Sequence, residues 1–280
     1  MLPYLIVAAV TALVSFAATP LARRASLRFG WIDEPNDRKV HPKPTPTLGG
    51  AAIVVAVVVG MGVAFLMPQF REIFRLSSEP LAAVIGAVVI FLVGAYDDVR
   101  HSSVLGKLTW QIIGAALLVL MGVQLLYFWV PGQGILTLSS DLAVPLSILW
   151  MVAMMNAINF IDGLDGLAAG LVAIAAISFF LFVYRGPDLF AGTSPAALIC
   201  AVTAGACLGF LPWNFNPAKI FMGDSGAMPL GLLLAVATIA GVGRNPFPPS
   251  GGDVAAFSIP ILLPLLVLAI PFLDVALAVL

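Results

Sequence analysis

Residues 143–166 read AVPLSILWMVAMMNAINFIDGLDG. The stretch begins as an apolar run and ends with a polar side chain at every third position: Asn156, Asn159, Asp162 and Asp165. Each step of three residues along a continuous α-helix turns the side chain by about 60°, so four such residues cannot share one face. Gly163 and Gly166 therefore indicate that one apolar helix ends here and that the chain turns into the next.

The polar residues of this stretch predict a functional site. We expect Asn156 and Asn159 to line the last turn of the first helix, and Asp162 and Asp165 to start the second. An aspartate at a helix start is an ordinary N-cap, which accounts for one of the two. It does not account for two asparagines inside the preceding apolar segment.

The composition of the whole chain defines its class. Of the 280 residues, 61% are hydrophobic and only 10% are charged, and the mean hydropathy is +1.09. These values exclude a soluble domain of this size and predict an all-α polytopic integral membrane protein, with one transmembrane domain over residues 1–280. Apolar runs predict nine transmembrane helices, near residues 2–22, 48–67, 81–96, 108–127, 143–158, 166–184, 194–212, 227–243 and 257–279.

The polar connections between these helices alternate in charge. One set carries nine basic residues (Arg23, Arg24, Arg28, Arg38, Lys39, Lys43, Arg100, Lys107 and Lys219) and the other carries four (Arg71, Arg75, Arg185 and Arg244). Cytoplasmic connections of membrane proteins are enriched in Lys and Arg, so we expect the first set to face the cytoplasm. The N-terminus then lies outside the membrane.

Five aspartates fall on this predicted cytoplasmic side: Asp97, Asp98, Asp162, Asp165 and Asp224. Carboxylates in an apolar membrane chain are costly and usually mark a site. An acid set without histidine or cysteine ligands suits a hard cation such as Mg²⁺, with Mn²⁺ as the alternative, and such a cation holds phosphates. We therefore predict phosphoryl-group chemistry in an active site on the cytoplasmic face.

The pair Asp97-Asp98 closes the third predicted helix. The dipole of a helix disfavours acids at its C-terminus, so a merely solvated helix end explains the pair poorly. Paired carboxylates can bind Mg²⁺, or one of them can take a proton from the attacking group. Lys107, which follows on the next helix, is either a phosphate contact or an ordinary interfacial anchor.

Residues 214–226, NFNPAKIFMGDSG, lead into the eighth predicted helix. Gly223 and Gly226 would let the backbone approach a ligand, and the free N–H groups of a helix N-terminus can bind phosphate. Asp224 belongs either to this site or to a simple N-cap. Phe221 either stacks on a base or packs in the core.

Residues 33–50, DEPNDRKVHPKPTPTLGG, form the longest polar stretch, and its prolines keep it extended. Arg38, Lys39 and His41 would neutralise a diphosphate or a lipid headgroup. The alternative is a juxtamembrane basic run that only sets the topology.

Taken in chain order, these motifs resemble those of the polyprenyl-phosphate N-acetylhexosamine-1-phosphate transferases of glycosyltransferase family 4. The matching patterns are Asp-x-Pro…Arg-Lys-x-His…Pro-x-Pro-x-x-Gly-Gly, then Asp-Asp, then Asn-x-x-Asn-x-x-Asp-Gly-x-Asp-Gly-Leu, then Phe-Met-Gly-Asp-x-Gly. The family includes the enzymes that start O-antigen (lipopolysaccharide) and teichoic-acid synthesis in cell-wall biogenesis, and the related phospho-MurNAc-pentapeptide transferase. The resemblance implies that undecaprenyl phosphate attacks the β-phosphorus of a UDP-N-acetylhexosamine, giving a lipid-diphosphate-sugar and UMP, with Mg²⁺.

The family pattern also implies roles for single residues. Asp224 would be the leading metal ligand, and Asp97 or Asp98 would bind the metal or deprotonate the lipid phosphate. Asp162 and Asp165 would position substrate or metal in catalysis. The residues implied in substrate binding are Arg38, Lys39, His41, Lys107, Asn156, Asn159, Asn214 and Phe221. The resemblance leaves open whether the attack is direct or passes through an aspartyl-phosphate.

The resemblance implies a multi-pass protein of the bacterial cytoplasmic membrane. Its expected partners are a UDP-N-acetylhexosamine, undecaprenyl phosphate and the lipid bilayer, without nucleic acid, and a homodimer is compatible with it. The segment from Arg38 to His41 resembles the N-acetylglucosamine branch of the family more than the peptidoglycan branch. We therefore expect UDP-GlcNAc as the donor.

One departure from the family pattern leaves alternatives open. The family continues past the last helix into a loop with a basic, histidine-rich motif, whereas this sequence contains only His41 and His101. We therefore expect a chain truncated at its C-terminus or an incomplete active site. The alternatives are a phospho-MurNAc-pentapeptide transferase and an inactive lipid-phosphate-binding homologue. An ion-coupled transporter would place its acids near the middle of the bilayer, not at helix ends on one side.

Overall fold

The computed structural model describes residues 1–34, 43–100, 102–130, 134–185 and 194–243. It contains nine α-helices: α1 (Leu2–Phe29), α2 (Gly50–Leu66), α3 (Arg71–Leu76), α4 (Glu79–Arg100), α5 (Val104–Leu120), α6 (Ser140–Ile161), α7 (Leu167–Arg185), α8 (Pro195–Asn214) and α9 (Asp224–Thr238). A 3₁₀ turn at Pro68–Phe70 leads into α3, and a π-helical turn at Ile239–Gly243 continues α9. The described chain is mainly helical, as its composition predicts.

Two short antiparallel ribbons accompany the helices of this mainly helical chain. Strands β1 (Ile32–Asp33) and β2 (Thr45–Pro46) pair on either side of the stretch 35–42, which lies outside the described residues. Strands β3 (Tyr127–Val130) and β4 (Gly134–Thr137) form a hairpin between α5 and α6. β3 consists of aromatic and β-branched residues, which favour strands.

Within the described residues, six helices are long and apolar enough to cross a membrane alone: α1, α4, α6, α7, α8, and α9 with its π turn. α2 and the segment Pro68–Leu76 pass the same test jointly, but they meet at 90° and form either a seventh, broken span or a re-entrant segment. α5 is a shorter apolar helix. The ninth predicted helix, near 257–279, lies outside the described residues, so the count of nine and the orientation remain predictions.

Helices α8 and α9 form the centre of the bundle. In their most apolar segments 78% and 83% of the residues are buried, against 22% in α1. α9 packs chiefly against α4 and α6, and α8 packs chiefly against α1 and α7. The N-terminus of α9 therefore lies inside the bundle, surrounded by other helices, where a charged residue requires partners.

The start of α1 and the start of α9 lie at opposite ends of the bundle. The Tyr4 ring packs against Phe70, with ring centroids 4.9 Å apart, and its hydroxyl accepts a hydrogen bond from the Ser194 backbone N–H at 3.1 Å. At the other end of α1, the Ser26 hydroxyl donates to the Thr47 carbonyl, next to the loop before α9. The described parts of the polar motifs lie at this second end.

Candidate active site

Four helices bring polar side chains together at the start of α9. Asp97 and Asp98 lie in the last turn of α4, Lys107 in the first turn of α5, Asn159 near the end of α6, and Asp224 is the first residue of α9. These positions meet because α9 packs against α4 and α6, and α5 packs against both of those helices.

The Asp98 carboxylate caps α9 from a neighbouring helix. Its Oδ1 accepts a hydrogen bond from the Asp224 backbone N–H at 2.8 Å, and its Oδ2 accepts one from the Ser225 N–H at 3.1 Å. Both carboxylate oxygens are therefore engaged at a helix N-terminus, where a negative charge is favourable.

Two glycines permit this close approach of α4 to α9. Gly223 has φ +66°, and a Cβ there would lie 2.5 Å from Asp98 Oδ2. A Cβ at Gly94 of α4 would lie 2.5 Å from the Asp224 carbonyl oxygen. Any larger residue at either position would push the Asp98 carboxylate away from the helix that it caps.

The sequence-based prediction that free N–H groups of α9 bind phosphate is wrong for this structure. The N–H groups of Asp224 and Ser225 bond to Asp98, and those of Gly226 and Ala227 bond to the Gly223 carbonyl at 3.0 and 2.9 Å. The alternative of Asp224 as a simple N-cap does not hold either. The N-cap is Gly223, and the Asp224 side chain makes no capping bond.

The Lys107 ammonium occupies the centre of a set of oxygen atoms. It forms an ion pair with Asp224 Oδ2 and lies 3.4 Å from both Asp97 Oδ2 and Asn159 Oδ1. The Asn159 amide donates a hydrogen bond to Asp224 Oδ1. We call Lys107, Asp97, Asn159 and Asp224 the lysine–acid cluster.

The side chains of the lysine–acid cluster are mostly, but not completely, buried. The side chains of Lys107, Asp97 and Asp224 are 17%, 18% and 20% exposed. Asp97 is also oriented from the α4–α5 connection, because the backbone N–H of Ser102 donates to its Oδ1 at 2.9 Å and the Ser102 hydroxyl donates to the same atom.

Asp165 and Asn214 tie two loops together. Asp165 Oδ2 accepts hydrogen bonds from Asn216 Nδ2 at 3.0 Å and from the Ala218 N–H at 2.9 Å. Buried Asn214 accepts a hydrogen bond from the Gly166 N–H at 3.2 Å and donates one to the Ile220 carbonyl at 3.0 Å. Both side chains thus hold the α6–α7 connection against the loop that leads into α9.

The expected start of the second helix at Asp162 and Asp165 is wrong. α6 ends at Ile161 and α7 begins at Leu167, so both aspartates lie in the connection. The predicted turn is present, with Gly166 at φ +74°. The helix itself begins within one residue of the predicted position 166, and Asp165 does not cap it because its carboxylate bonds to the loop before α9.

Asp162 lies in this connection, close to other acids. Desolvation raises the pKa of the Asp162 carboxyl well above its usual range, and the nearby charges of Asp224, Asp98 and Asp165 raise it further. This environment favours the neutral carboxyl of Asp162 more than water does, and perturbed carboxyls of this kind are common at functional sites.

Asn156 makes contacts that the sequence did not predict. Its Nδ2 donates to Gln111 Oε1 at 2.7 Å and to the Val152 carbonyl at 2.8 Å. Sequence reasoning missed Gln111, which is completely buried. The available signal was a lone amide in an apolar helix, four residues after Lys107 and thus on the same face.

The segment 43–50 is bonded to the loop before α9. The Phe221 N–H donates to the Pro46 carbonyl at 2.9 Å, and the N–H groups of Gly49 and Gly50 donate to the carbonyls of residues 221 and 222 at 2.9 and 3.0 Å. Phe221 itself is half-buried. The predicted substrate-binding residues Arg38, Lys39 and His41 precede this segment but lie outside the described residues.

The five predicted aspartates lie at one end of the bundle, but they do not form a single metal cluster. Among the described residues, no group of three or more His, Cys, Asp or Glu side chains is arranged to hold a metal ion. The reason is visible at Asp98 and Asp165, whose carboxylates are turned toward backbone N–H groups.

The oxygen atoms around the Lys107 ammonium nevertheless fit a hard cation. They comprise carboxylate oxygens of Asp97 and Asp224 and the amide oxygen of Asn159, and they already surround a positive charge. Mg²⁺ is usually bound by one or two carboxylates together with phosphate oxygens and water, so this donor set suits it.

Comparisons with known proteins give consistent results. Residues 80–242 match the model of glycosyl transferase family 4. The chain is 38% identical over 279 residues to the decaprenyl-phosphate N-acetylglucosaminephosphotransferase of Mycolicibacterium smegmatis, covering 96% of the chain and 68% of that protein.

Two further relatives are somewhat less similar to the chain. A probable undecaprenyl-phosphate N-acetylglucosaminyl 1-phosphate transferase of Bacillus subtilis is 33% identical over 273 residues, covering 96% of the chain and 69% of the relative. The phospho-N-acetylmuramoyl-pentapeptide-transferase of Mycobacterium avium is 33% identical over 266 residues, covering 82% of the chain and 74% of the relative. The matched family region contains Asp97, Asp98, Lys107, Asn159 and Asp224.

Proposed function

Because the chain belongs to glycosyl transferase family 4, we propose that it transfers N-acetylglucosamine 1-phosphate from UDP-GlcNAc to a polyprenyl phosphate such as undecaprenyl phosphate. The similarity to N-acetylglucosamine-phosphate transferases over 96% of the chain carries this proposal. The lysine–acid cluster supports it, since it combines a lysine ammonium with carboxylate and amide oxygens at one end of a helical bundle.

The proposed reaction exchanges one phosphoanhydride bond for another. An oxygen of the acceptor phosphate forms a bond to the β-phosphorus of UDP-GlcNAc. The bond from that phosphorus to the oxygen bridging the two phosphates breaks, and UMP leaves with this oxygen. The products are a polyprenyl-diphosphate-GlcNAc and UMP.

The chain contributes charge and positioning to this exchange. The Lys107 ammonium stabilises negative charge on a phosphate, and the carboxylates around it orient the ammonium. Asp98 acts through α9, because its carboxylate holds the backbone that presents Asp224.

We further propose that Asp224, Asp97 and Asn159 would hold Mg²⁺. Bound there, Mg²⁺ would neutralise the diphosphate and increase the electrophilicity of the β-phosphorus. Asp98, the other predicted metal ligand, uses both carboxylate oxygens to cap α9 and is better described as a positioning residue.

The nucleotide end of the donor belongs to the loop before α9 in this proposal. Asn214 and Asp165 hold that loop against the α6–α7 connection, and Phe221 is half-buried beside it. The basic segment with Arg38, Lys39 and His41 would meet the diphosphate. We place the protein in the bacterial cytoplasmic membrane, with the N-terminus outside and this site on the cytoplasmic face, where it starts a cell-envelope glycan.

A direct assay tests the proposed activity. The purified protein in detergent is incubated with undecaprenyl phosphate, UDP-GlcNAc and Mg²⁺, and UMP release is measured, with EDTA and lipid-free samples as controls. Release that requires both the lipid and the metal is expected. Release without lipid, or none at all under these conditions, contradicts the proposal.

One competing function has its own support. The relative from M. avium is a phospho-N-acetylmuramoyl-pentapeptide-transferase that matches 82% of the chain. Competition between UDP-GlcNAc and UDP-MurNAc-pentapeptide in the same assay separates the two functions. Preferential use of the pentapeptide donor would replace N-acetylglucosamine transfer by this second function.

A further inference from the structure

A second polar layer lies one helical turn beneath the lysine–acid cluster. Three of the cluster residues have a neighbour on the same helix, three or four residues further into the bundle: Gln111 follows Lys107 on α5, Asn156 precedes Asn159 on α6, and Met228 follows Asp224 on α9. Residues at this spacing lie on the same face of a helix, so each pair is aligned along its axis. The second layer thus repeats the three-helix arrangement of the first.

One side chain connects the three helices in the second layer. Gln111 Oε1 accepts a hydrogen bond from Asn156 Nδ2 at 2.7 Å, and Gln111 Nε2 lies 3.4 Å from Asn156 Oδ1. The same Gln111 Nε2 donates to the Met228 sulfur at 3.0 Å. Gln111 and Met228 are both completely buried, so the bond between them is made away from solvent, whereas Asn156 is exposed and its bonds to Gln111 are only part-buried.

Because Gln111 is buried, its hydrogen bonds restrict how α5 can sit against α6 and α9. A buried amide costs free energy unless its hydrogen-bonding groups are satisfied, so an arrangement of α5 that breaks these bonds is disfavoured. α5 packs chiefly against α4 and α6. Its side-chain bonds to α9 come from Gln111, which contacts Met228, and from Lys107, which contacts Asp224. Gln111 and Lys107 thus contact α9 at two positions that are one helical turn apart.

We propose that Gln111 is a positioning residue, which holds α5 in register with α6 and α9 so that the Lys107 ammonium meets Asp224 and Asn159. Its effect on turnover rests on the proposed transferase activity. Its effect on the environment of Lys107 does not, and can be measured without any substrate.

The test compares two variants that each lose side-chain hydrogen bonding between helices. Gln111→Met removes the amide but keeps the length and the apolar stem of the side chain. Thr238→Val is the matched control, because the Trp150 indole N–H donates to Thr238 Oγ1 at 2.9 Å and so joins α6 to α9 far along the helix from the cluster. Both variants are expected to lower the melting temperature in detergent by a similar, small amount.

The first readout is the reactivity of Lys107 toward reductive methylation, measured by mass spectrometry relative to exposed Lys219. In the wild type the Lys107 ammonium is ion-paired and 17% exposed, so it reacts slowly. We expect Gln111→Met to raise its relative rate severalfold and Thr238→Val to leave it unchanged. Equal Lys107 reactivity in wild type and Gln111→Met overturns the proposal, whether or not the protein turns over the expected substrates.

The second readout is steady-state turnover. A displacement of about 1 Å at a reacting group can cost about 100-fold in rate, so kcat should fall about 10- to 100-fold in Gln111→Met while both KM values change less than about threefold. Thr238→Val should keep kcat within about twofold. Equal losses of kcat in the two variants, at equal losses of melting temperature, would show a merely structural role.

A shorter amide covers the case in which Gln111→Met does not fold. Gln111→Asn keeps the amide but draws it back by one methylene, and it should also raise Lys107 reactivity and lower kcat. If Gln111→Asn keeps the wild-type Lys107 reactivity and the wild-type kcat, positioning by this side chain is refuted. A wild-type protein without lipid-dependent UMP release counts against the proposed function, and the methylation readout still decides the role of Gln111.

Discussion

Asp224 is the residue on which the lysine–acid cluster depends. Its carboxylate contacts both Lys107 and Asn159, which come from two other helices. Its backbone N–H is at the same time held by Asp98. The Asp224 side chain therefore points into the cluster and does not cap its own helix.

We predict that Asp224→Asn lowers kcat for UMP release by at least about 100-fold, because an amide neither pairs with Lys107 nor binds a divalent cation as a carboxylate does. The melting temperature should stay within a few degrees of the wild type. Asp141→Asn, an exposed acid at the start of α6, is the control and should retain full activity. Near wild-type turnover in Asp224→Asn would exclude the proposed role.

Asp162 gives a prediction about pH. Its raised pKa means that the folded protein holds this proton at pH values where the unfolded chain, with an ordinary aspartate pKa near 4, has released it. Stability contributed by the protonated form is present at low pH and is lost as pH rises toward the folded-state pKa. Asp162→Asn, which cannot ionise, should therefore melt above the wild type at pH 8.

The difference between Asp162→Asn and wild type should shrink as the pH of the melting experiment is lowered from 8 toward 5. Parallel melting curves of Asp162→Asn and wild type across this range would contradict the assigned environment of Asp162.

At the scale of elements, the contact between α4 and α9 organises the site. Asp98 of α4 supplies acceptors for the first N–H groups of α9. A missing cap costs about 0.5–2 kcal/mol. The cap also determines where Asp224 stands, so it links stability to activity.

We predict that Asp98→Ala lowers the melting temperature by a few degrees and kcat by more than about tenfold, with Asp98→Asn between it and the wild type, because Asn retains one acceptor oxygen. Ser194→Ala is the matched control. It removes the cap of α8, where Ser194 Oγ accepts from the Ala197 N–H, at the end of the bundle opposite to the site. Ser194→Ala should lower the melting temperature without lowering kcat. An equal loss of kcat in Ser194→Ala and Asp98→Ala would argue against a specific role of Asp98.

The loop before α9 gives a second prediction at this scale. Asp165→Ala removes both hydrogen bonds that hold the loop at Asn216 and Ala218. If this loop contacts the nucleotide, the KM for UDP-GlcNAc should rise about tenfold, as expected when binding interactions are lost, while kcat changes less. Lys219→Ala, an exposed change on the same loop, should leave KM within about twofold. A loss confined to kcat would place Asp165 in the chemistry itself.

At the scale of the whole molecule, the orientation in the membrane is testable. Arg75 and Lys219 are exposed and lie at opposite ends of the bundle. Both native cysteines, Cys200 and Cys207, are buried, so labelling of the unmodified protein should be weak. With the N-terminus outside, Arg75→Cys should react with an impermeant maleimide in intact cells, and Lys219→Cys only after permeabilisation. The reverse pattern would invert the predicted topology.

The helical bundle and the general location of the site follow from the sequence. Apolar runs predict membrane helices because lipid offers no hydrogen-bond partners to the backbone. The N–H and C=O groups of a spanning segment must therefore pair with each other, as they do in a helix. Eight of the nine predicted helices correspond to helices in the described residues, with boundaries shifted by several residues at α1, α4, α5 and α9. The aspartates stand out because charge is rare in such a chain.

What each polar side chain does was decided by packing between helices. Asp97 and Asp98 are neighbours in sequence, but adjacent side chains on a helix diverge by about 100°. Asp98 consequently faces the backbone of α9, whereas Asp97 faces Ser102 and Lys107. Gln111 similarly acquires its partners from α6 and α9. Hydrophobicity is a property of each segment and can be read locally, whereas these partners are distant in the chain and meet only when the helices pack.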